Sequence, residues 1–415
     1  MKRACKHNQR RGLAEERESQ MNAWGRTDVT DSRRRVRRVR WLPAAVLAIA
    51  ASLAIAACGG GGIEGGSDTA NVETVKVEGK PSGDLTISNW PFYIDKQTVP
   101  DFEKATGVSV KYIEDVNDNS EFFAKMQQLL AKGESGGRSI FVVTDWMAKK
   151  MYDLGYLQKL DYSNGALSNV EANLLPTLQS PDFDPNRDFS VPWQSGMTGL
   201  IVNTDVAPDA KSIDDLFDPK YKGQVEMLTE LRDTVPLVMK SDGVDLANAT
   251  EDDWMAAIDK ITEAVDSGQI RRFTGNDYTR DMANGDAAAI IGWSGDAIQL
   301  QADNPEIEFR MPTEGCMLWS DNMVIPVGAP NPTAAEAWMN YVYDPKNQAQ
   351  IADYNYYTTP VEGVKPILKR IDPPAAKSEL IFPSEAFTKN CDVAPPLTGE
   401  EEQRVTRAFE GVLTR

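Results

Sequence analysis

Short, wholly apolar segments place the strongest constraint on the fold of this 415-residue chain. Ile140–Val143 and Ala287–Ile291 contain only apolar residues. Such a run is typical of a strand that is buried on both faces of a parallel sheet. Segments with apolar residues at helical spacing, such as Phe122–Leu130 and Trp254–Val265, lie between the predicted strands. The alternating order predicts an α/β fold, and the length predicts two domains.

Aromatic, hydroxyl and acidic residues stand close to the ends of the predicted strands. The pattern occurs four times, at Trp90/Tyr93, Thr144/Trp146, Trp293/Asp296 and Trp319/Asp321. In open α/β sheets, ligands bind at the edge where the carboxyl ends of the strands meet. The repetition therefore predicts one shared cleft between the two domains.

The segment Gly315–Pro326 holds the most informative of these pairs. Side chains two residues apart in a strand point to the same face, so Trp319 and Asp321 would present an aromatic wall and a carboxylate together. This combination suits an organic cation. The alternative interpretation is a core tryptophan beside an aspartate at the edge of a strand.

A second acidic pair begins a predicted helix. Glu230 and Asp233 are three residues apart, so they share one face of that helix. They either complete the site for a cation or serve only as the acids that favour the positive end of a helix.

Charge and histidine content exclude several functions. Residues 1–57 hold 13 basic and 5 acidic residues, whereas the remainder holds 31 and 57, a net charge of −26. Nucleic-acid binding requires a basic face, so we expect no nucleic-acid partner. The single histidine is His7, which excludes catalytic or metal sites built on histidine in the body of the chain. We expect no cofactor and no metal.

The N-terminal region has the pattern of a secreted lipoprotein. A run of arginines within 33–40 precedes the apolar segment 41–57. Ile55–Cys58 resembles the lipobox of bacterial lipoproteins, in which the cysteine is lipidated. This resemblance implies a signal peptide over residues 1–57, lipidation of Cys58 and a location on the extracytoplasmic face of the membrane. The alternative is an uncleaved membrane helix. The glycine-rich, polar segment 58–83 predicts a flexible tether.

Two cysteines remain in the body of the chain. Cys316 and Cys391 would lie outside the cytoplasm, where an oxidising compartment favours a disulfide between them. The alternative is a pair of separate buried thiols.

Several segments together resemble a known family from about Asp84 onward. They are Ser88–Tyr93, Phe102–Gly107, Asn203 after its strand, Tyr221–Gly223, Trp319–Asp321 and Tyr357–Pro360. On these segments the chain is similar to the bacterial spermidine/putrescine-binding proteins, which are the solute receptors of ABC importers. The resemblance implies a type II periplasmic-binding-protein fold, with two α/β lobes, crossover hinge strands and a ligand cleft between the lobes. Lobe 1 would comprise 84–194 plus 320–365, and lobe 2 would comprise 195–319 plus 366–415.

The resemblance also implies a polyamine site and its partners. By position, the predicted binding residues are Trp90, Tyr93, Thr144, Trp146, Glu230, Asp233, Trp293, Trp319, Asp321 and Tyr357. Carboxylates would hold the ammonium groups, and aromatic faces would line the methylene chain. The implied partners are the permease and ATPase subunits of the importer, and the receptor is expected to be a monomer and not an enzyme.

Some residues depart from the family pattern. Ser139 stands where an acid is common, Pro91 replaces a polar residue, and Glu230 and Asp233 occur in the reverse order of the usual acids. These differences leave open a receptor of the same fold for ferric iron, to which Tyr356 and Tyr357 also point, or for a sugar. A glycosidase that uses only carboxylates is a third hypothesis.

Overall fold

Nine β-strands form one continuous sheet in residues 73–415, the part of the chain that the structure, a computed structural model, describes. The strands are β1 (Asp84–Asn89), β2 (Ser109–Glu114), β3 (Ile140–Thr144), β4 (Val191–Asn203), β5 (Val225–Leu228), β6 (Ile270–Thr274), β7 (Ala289–Trp293), β8 (Ile307–Arg310) and β9 (Met317–Val324). Their order in the sheet is β2-β1-β3-β9-β4-β7-β5-β6, and β8 pairs with β4. The predicted signal peptide 1–57 and the lipidation residue Cys58 lie outside the described residues.

Helices connect the strands and cover the sheet. They are α1 (Thr98–Thr106), α2 (Asn119–Leu130), α3 (Asp145–Asp153), α4 (Ser168–Asn173), α5 (Leu231–Ser241), α6 (Glu251–Asp266), α7 (Tyr278–Asn284), α8 (Ser294–Gln301), α9 (Pro332–Val342), α10 (Pro345–Asn355), α11 (Val364–Ile371), α12 (Glu385–Thr388) and α13 (Gly399–Leu413). No helix within residues 73–415 has both the length and the apolar character needed to cross a membrane.

Two long antiparallel strands join the two ends of the sheet. The first half of β4 pairs with β9, and its second half pairs with β7 and β8. Strand β9 continues across to pair with β3. We call the part built on β1, β2 and β3 lobe 1, and the part built on β5, β6 and β7 lobe 2. In each lobe these strands are parallel, and β3 and β7 are buried throughout. The predicted two-lobed α/β fold is confirmed.

Three local predictions differ from the structure. The apolar run Met323–Ile325 predicts a strand with Trp319 and Asp321 just before it, whereas the strand begins at Met317 and includes both residues. Helix α2 is capped by Asp118, whose carboxylate accepts from the backbone N–H of Glu121, because Asp118 has the extended conformation of a cap. Ser120, which the sequence favours as the cap because serine is a common cap and precedes the apolar face of this helix, is exposed within the first turn. The tyrosine-rich segment Tyr354–Pro360 predicts a loop, but helix α10 extends to Asn355 and includes the first two residues of that segment.

The end of the predicted tether packs against the body. Val75 is 2% exposed, and its backbone N–H donates to the carbonyl of Lys159 over 2.7 Å. Burial of an apolar side chain and pairing of a backbone donor both oppose free motion at this position. Val75, which falls within the predicted tether 58–83, is therefore held against the body.

Cys316 and Cys391 are joined by a disulfide, with their Cα atoms 4.4 Å apart. The backbone N–H of Leu318 donates to the carbonyl of Asp392 over 2.7 Å, and the N–H of Asp392 donates to the carbonyl of Cys316 over 3.0 Å. The bond thus fixes the C-terminal segment against the start of β9, the strand that carries Trp319 and Asp321.

Removal of this disulfide is expected to lower the stability of the protein. The two cysteines are 75 residues apart. Closing a loop of this size removes unfolded-state entropy equivalent to about 4 kcal/mol. We expect the double variant Cys316→Ser/Cys391→Ser to melt roughly 5–10 °C below the wild type in calorimetry. Dithiothreitol should lower the melting temperature of the wild type and leave that of the variant unchanged. A wild type insensitive to the reductant would contradict the prediction.

Candidate functional site

A small cavity lies between the two lobes and has a volume of about 30 Å³. Nine of the ten predicted binding residues line it, and only Trp146 does not. The complete lining is Trp90, Pro91, Tyr93, Asn119, Thr144, Glu230, Asp233, Asn276, Trp293, Trp319, Asp321 and Tyr357. The lining comes from segments of the chain that are up to 267 positions apart, and they meet because several of them follow the carboxyl ends of neighbouring strands.

A tight turn after β1 directs two aromatic side chains into the cavity. The backbone N–H of Trp90 donates to the side chain of Asn89 over 2.8 Å. Phe92 has φ of 56°, in the left-handed region, and its N–H donates to Glu114 over 3.2 Å. Bulky residues adopt this conformation only where the surrounding structure holds them there. The turn leaves both Trp90 and Tyr93 buried against the cavity.

Asp321 is the carboxylate at the lobe 1 side of the cavity. It pairs in register with Thr144 where β9 lies beside β3. Its two oxygens accept from the hydroxyl groups of Thr144, over 2.8 Å, and Tyr93, over 2.9 Å. Burial raises the pKa of Asp321 to about 7, although these hydrogen bonds act in the opposite direction. Within residues 73–415 no basic side chain forms an ion pair with Asp321, so a cation in this buried environment would stabilise its carboxylate most.

Asp233 and Glu230 are the carboxylates at the lobe 2 side. Asp233, in the first turn of α5, accepts from the Thr198 hydroxyl over 2.7 Å and from the Trp293 indole N–H over 3.1 Å. Burial raises its pKa to about 6. Glu230 precedes α5, and burial raises its pKa, with further contributions from the charges of Asp118 and Asp233. Both carboxyl groups therefore line the cavity, where a cation would stabilise their charged forms.

Asp296 lies behind the cavity wall and orients three of the surrounding side chains. One oxygen accepts from the Tyr357 hydroxyl over 2.7 Å. The other accepts from the Tyr278 hydroxyl over 2.8 Å and the Asn276 amide over 3.0 Å. Burial raises the pKa of Asp296 as well. This residue was noticed in the sequence as part of a strand-end pair, and the structure places it one layer behind the lining.

Five aromatic side chains form the walls of the cavity. The ring centroids of Trp90 and Trp293 are 5.7 Å apart, those of Tyr93 and Tyr357 4.9 Å, and those of Trp319 and Tyr357 5.6 Å. A Cβ atom at Gly196 would lie 2.4 Å from the ring of Trp319. The absence of a side chain at this position of β4 therefore allows the indole to lie flat across the neighbouring strand.

Trp146 does not line the cavity itself but a wider cleft beside it, which shares Thr144, Glu230, Asp233 and Trp319 with the cavity. It is the second residue of helix α3, which begins at Asp145 directly after β3. The guanidinium of Arg232 lies 4.8 Å from the centroid of the Trp146 ring. The indole face is thus already in contact with a cation that belongs to the protein.

Asn119 and Asn276 line the cavity and were not identified from the sequence. Asn276 follows the carboxyl end of β6, so the strand-end rule could have found it. Asn119 is the first residue of α2 and carries no comparable signal, because asparagine is common where helices begin. Pro91, which was noted as a departure from the family pattern, also lies in the lining.

The cavity has the chemical character of a cation site. Buried carboxylates face aromatic rings, and the lining contains no lysine or arginine among the described residues. The volume of about 30 Å³ accommodates one or two groups the size of a water molecule or an ammonium. A longer cation would require the surrounding side chains, or the two lobes, to move apart.

Residues 97–381 match the profile of the family of bacterial extracellular solute-binding proteins. The match covers more than half of the chain, and the chain therefore belongs to this family.

Among named relatives, the spermidine/putrescine-binding periplasmic protein of Escherichia coli is 27% identical over 309 residues, which cover 74% of this chain and 85% of that protein. The putrescine/agmatine-binding protein of Pseudomonas aeruginosa is 26% identical over 305 residues, which cover 68% of this chain and 80% of that protein. A solved structure, the spermidine/putrescine ABC transporter substrate-binding protein of Streptococcus pneumoniae, aligns with a TM-score of 0.64 at 27% identity and covers 80% of this chain and 99% of that one.

Proposed function

We propose that this protein is a receptor for polyamines of the putrescine and spermidine class and delivers them to the permease and ATPase subunits of an ABC importer. The observation that carries the proposal is the pair of buried carboxylates, Asp321 and Asp233, in an aromatic-walled cavity without a fixed cation in its described lining. A protonated amine supplies the missing charge, and its methylenes suit the aromatic walls. The names of the relatives support the same ligand class.

The proposal includes the residues that contact the amine. Asp321, Asp233 and Glu230 hold ammonium groups, and Trp90, Tyr93, Trp293, Trp319 and Tyr357 line the chain between them, with Thr144 orienting Asp321. Trp146 remains among the proposed binding residues through the adjoining cleft, where its ring also contacts Arg232. We also retain the lobe boundaries 84–194 plus 320–365 and 195–319 plus 366–415 as part of the proposal.

The proposal extends to the location of the protein. Cys58 carries the lipid, and the segment after it holds the monomeric body at the extracytoplasmic face of the membrane. The lipobox pattern in the sequence supports this assignment. Labelling of the full chain with a radioactive fatty acid, compared with Cys58→Ala, tests it.

Isothermal titration tests the ligand class. We expect putrescine or spermidine to bind with a dissociation constant below about 100 µM, equivalent to roughly −5.5 kcal/mol or stronger. Maltose and ferric citrate serve as controls for a sugar receptor and an iron receptor of the same fold. A protein that binds one of the controls and no polyamine would contradict the proposal. A chromogenic glycoside should remain intact in its presence.

A further inference from the structure

Three consecutive residues of lobe 1 each contact lobe 2 at the edge of the cavity. They are Asn117, Asp118 and Asn119, which end the connection from β2 and begin α2. In lobe 2 they meet the residues that follow the carboxyl ends of β5 and β6. We call this set of contacts the interlobe seam.

Hydrogen bonds cross the seam at every one of the three positions. The backbone N–H of Asn276 donates to the Asn117 side chain over 3.1 Å. The Thr229 hydroxyl donates to the Asp118 carboxylate over 2.9 Å. The backbone N–H and the side-chain amide of Asn119 both donate to one oxygen of Glu230, over 2.6 and 2.8 Å.

Asn119 also connects the seam to the cation site. Its side-chain amide donates to the Thr144 hydroxyl over 2.8 Å, and its side-chain oxygen accepts from the Thr144 backbone N–H over 3.1 Å. The Thr144 hydroxyl donates in turn to Asp321. A continuous chain of hydrogen bonds therefore runs from Glu230 in lobe 2, through Asn119 and Thr144, to the carboxylate in lobe 1.

Gly275 allows the two lobes to approach this closely. A Cβ atom at position 275 would lie 2.4 Å from the backbone carbonyl oxygen of Asn117, a distance that real Cβ atoms do not adopt. The φ of Gly275 is not in the left-handed region, so alanine could take the same backbone conformation. The glycine is thus required by the approach of the neighbouring lobe and not by its own backbone conformation.

We infer that Asn119 is a positioning residue that couples occupancy of the amine site to closure of the lobes, and that Gly275 is the residue whose small size permits that closure. The inference rests on the proposed function. An amine that holds Asp321 in its charged form fixes the Thr144 hydroxyl, which orients Asn119 toward Glu230. Closure then loses little further conformational entropy, because the side chains of the seam are already held in place.

The variant Gly275→Ala tests the seam without disturbing the isolated lobes. We expect its putrescine affinity to fall at least 10-fold, whereas its ligand-free melting temperature stays within about 2 °C of the wild type. The matched control is Gly411→Ala in α13, where a Cβ atom would meet nothing within 4 Å. The control should bind putrescine as the wild type does. Wild-type affinity in Gly275→Ala would overturn the inference.

Asn119→Ala tests the coupling residue, with the exposed neighbour Ser120→Ala as its control. The readout is the distance between spin labels on exposed residues Ala105 of α1 and Asp259 of α6, measured by pulsed electron paramagnetic resonance. Putrescine should shorten this distance in the wild type and in Ser120→Ala, and much less in Asn119→Ala and Gly275→Ala. A ligand-induced shortening that is equal in all four proteins would overturn the inference.

The two proposals fail in different ways. A wild type that binds no polyamine contradicts the proposed function. The seam is then tested on the ligand-free proteins alone. The distribution of distances between the spin labels should include a short distance in the wild type that is missing in Gly275→Ala. Identical ligand-free distance distributions would remove the seam as well, whereas a difference would support it for a receptor of another solute.

Discussion

Asp321→Asn is expected to weaken putrescine binding by about 10²- to 10³-fold while leaving the ligand-free protein at least as stable as the wild type at pH 7.5. Loss of one partner from a buried ion pair costs about 3–5 kcal/mol, because the other charge stays buried without compensation. In this variant the uncompensated charge is the ammonium group of the ligand. The amide of asparagine has the size of the carboxylate, so the walls of the cavity should keep their positions.

The stability of the ligand-free variant follows from the raised pKa of Asp321. Burial raises this pKa to about 7, whereas in the unfolded chain the carboxyl titrates at its ordinary, lower value. Between the two values the folded state holds a proton that the unfolded state has lost, so the charge of Asp321 opposes folding at pH 7.5. Asparagine removes that charge, and it can still accept from Thr144 while donating toward Tyr93.

Calorimetry of binding and of unfolding on the same samples checks both halves of this prediction. Ser139→Ala is the control, because Ser139 is fully buried and its hydroxyl has no hydrogen-bond partner within the described part of the chain. The control should retain wild-type affinity. Equal affinities for the two variants would show that Asp321 does not hold the ligand, and a large loss of stability in Asp321→Asn would show that its role is structural.

The strand-end pattern made most of the site predictable from the sequence. Apolar runs located the strands, and helical spacing located the helices between them. The carboxyl ends of parallel strands share one edge of the sheet. Trp90 and Trp293 come from strands that are far apart in the chain, but both follow this rule and their ring centroids lie 5.7 Å apart. Local signals were sufficient here because the geometry of the sheet supplies the long-range part of the argument.

The residues that the sequence did not predict depend on contacts between the lobes. Asn119 contacts Glu230 across 111 positions of sequence, and Asn117 contacts Asn276 across 159. No local propensity sets these distances, because they arise only where the two lobes meet in the folded chain. The position of Trp146 in the wider cleft is equally hard to predict from the sequence, since it depends on where α3 begins and on the contact of the ring with Arg232.

The raised pKa values of the acids also make amine binding depend on the protonation of these carboxyl groups. Asp321 and Asp233 have pKa values of about 7 and about 6 in the ligand-free protein, in both cases chiefly because of burial. An ammonium group binds to the charged form of each. Below pH 7, binding must therefore expel a proton from Asp321, and below pH 6 it must also expel one from Asp233.

We accordingly expect the affinity for putrescine to fall by about 10²- to 10³-fold as the pH is lowered from 8 to 5. The ligand does not contribute to this change, because alkylammonium groups resemble lysine and stay protonated over the whole interval. The stability of the ligand-free protein should change in the opposite direction. It should rise as the pH falls from about 7 toward 4, because the raised pKa values mean that the folded state retains protons the unfolded state has lost.

Titrations at pH 5, 6, 7 and 8, each in two buffers of different ionisation enthalpy, measure both the affinity and the number of protons released. At pH 6.5 we expect close to one proton to leave for each putrescine bound. Asp233→Asn should flatten the dependence below pH 6, and Asp321→Asn should flatten it between pH 6 and 7. An affinity that is constant from pH 5 to 8, or an uptake of protons on binding, would mean that these carboxylates are already charged before the amine arrives and that the ligand does not replace a proton.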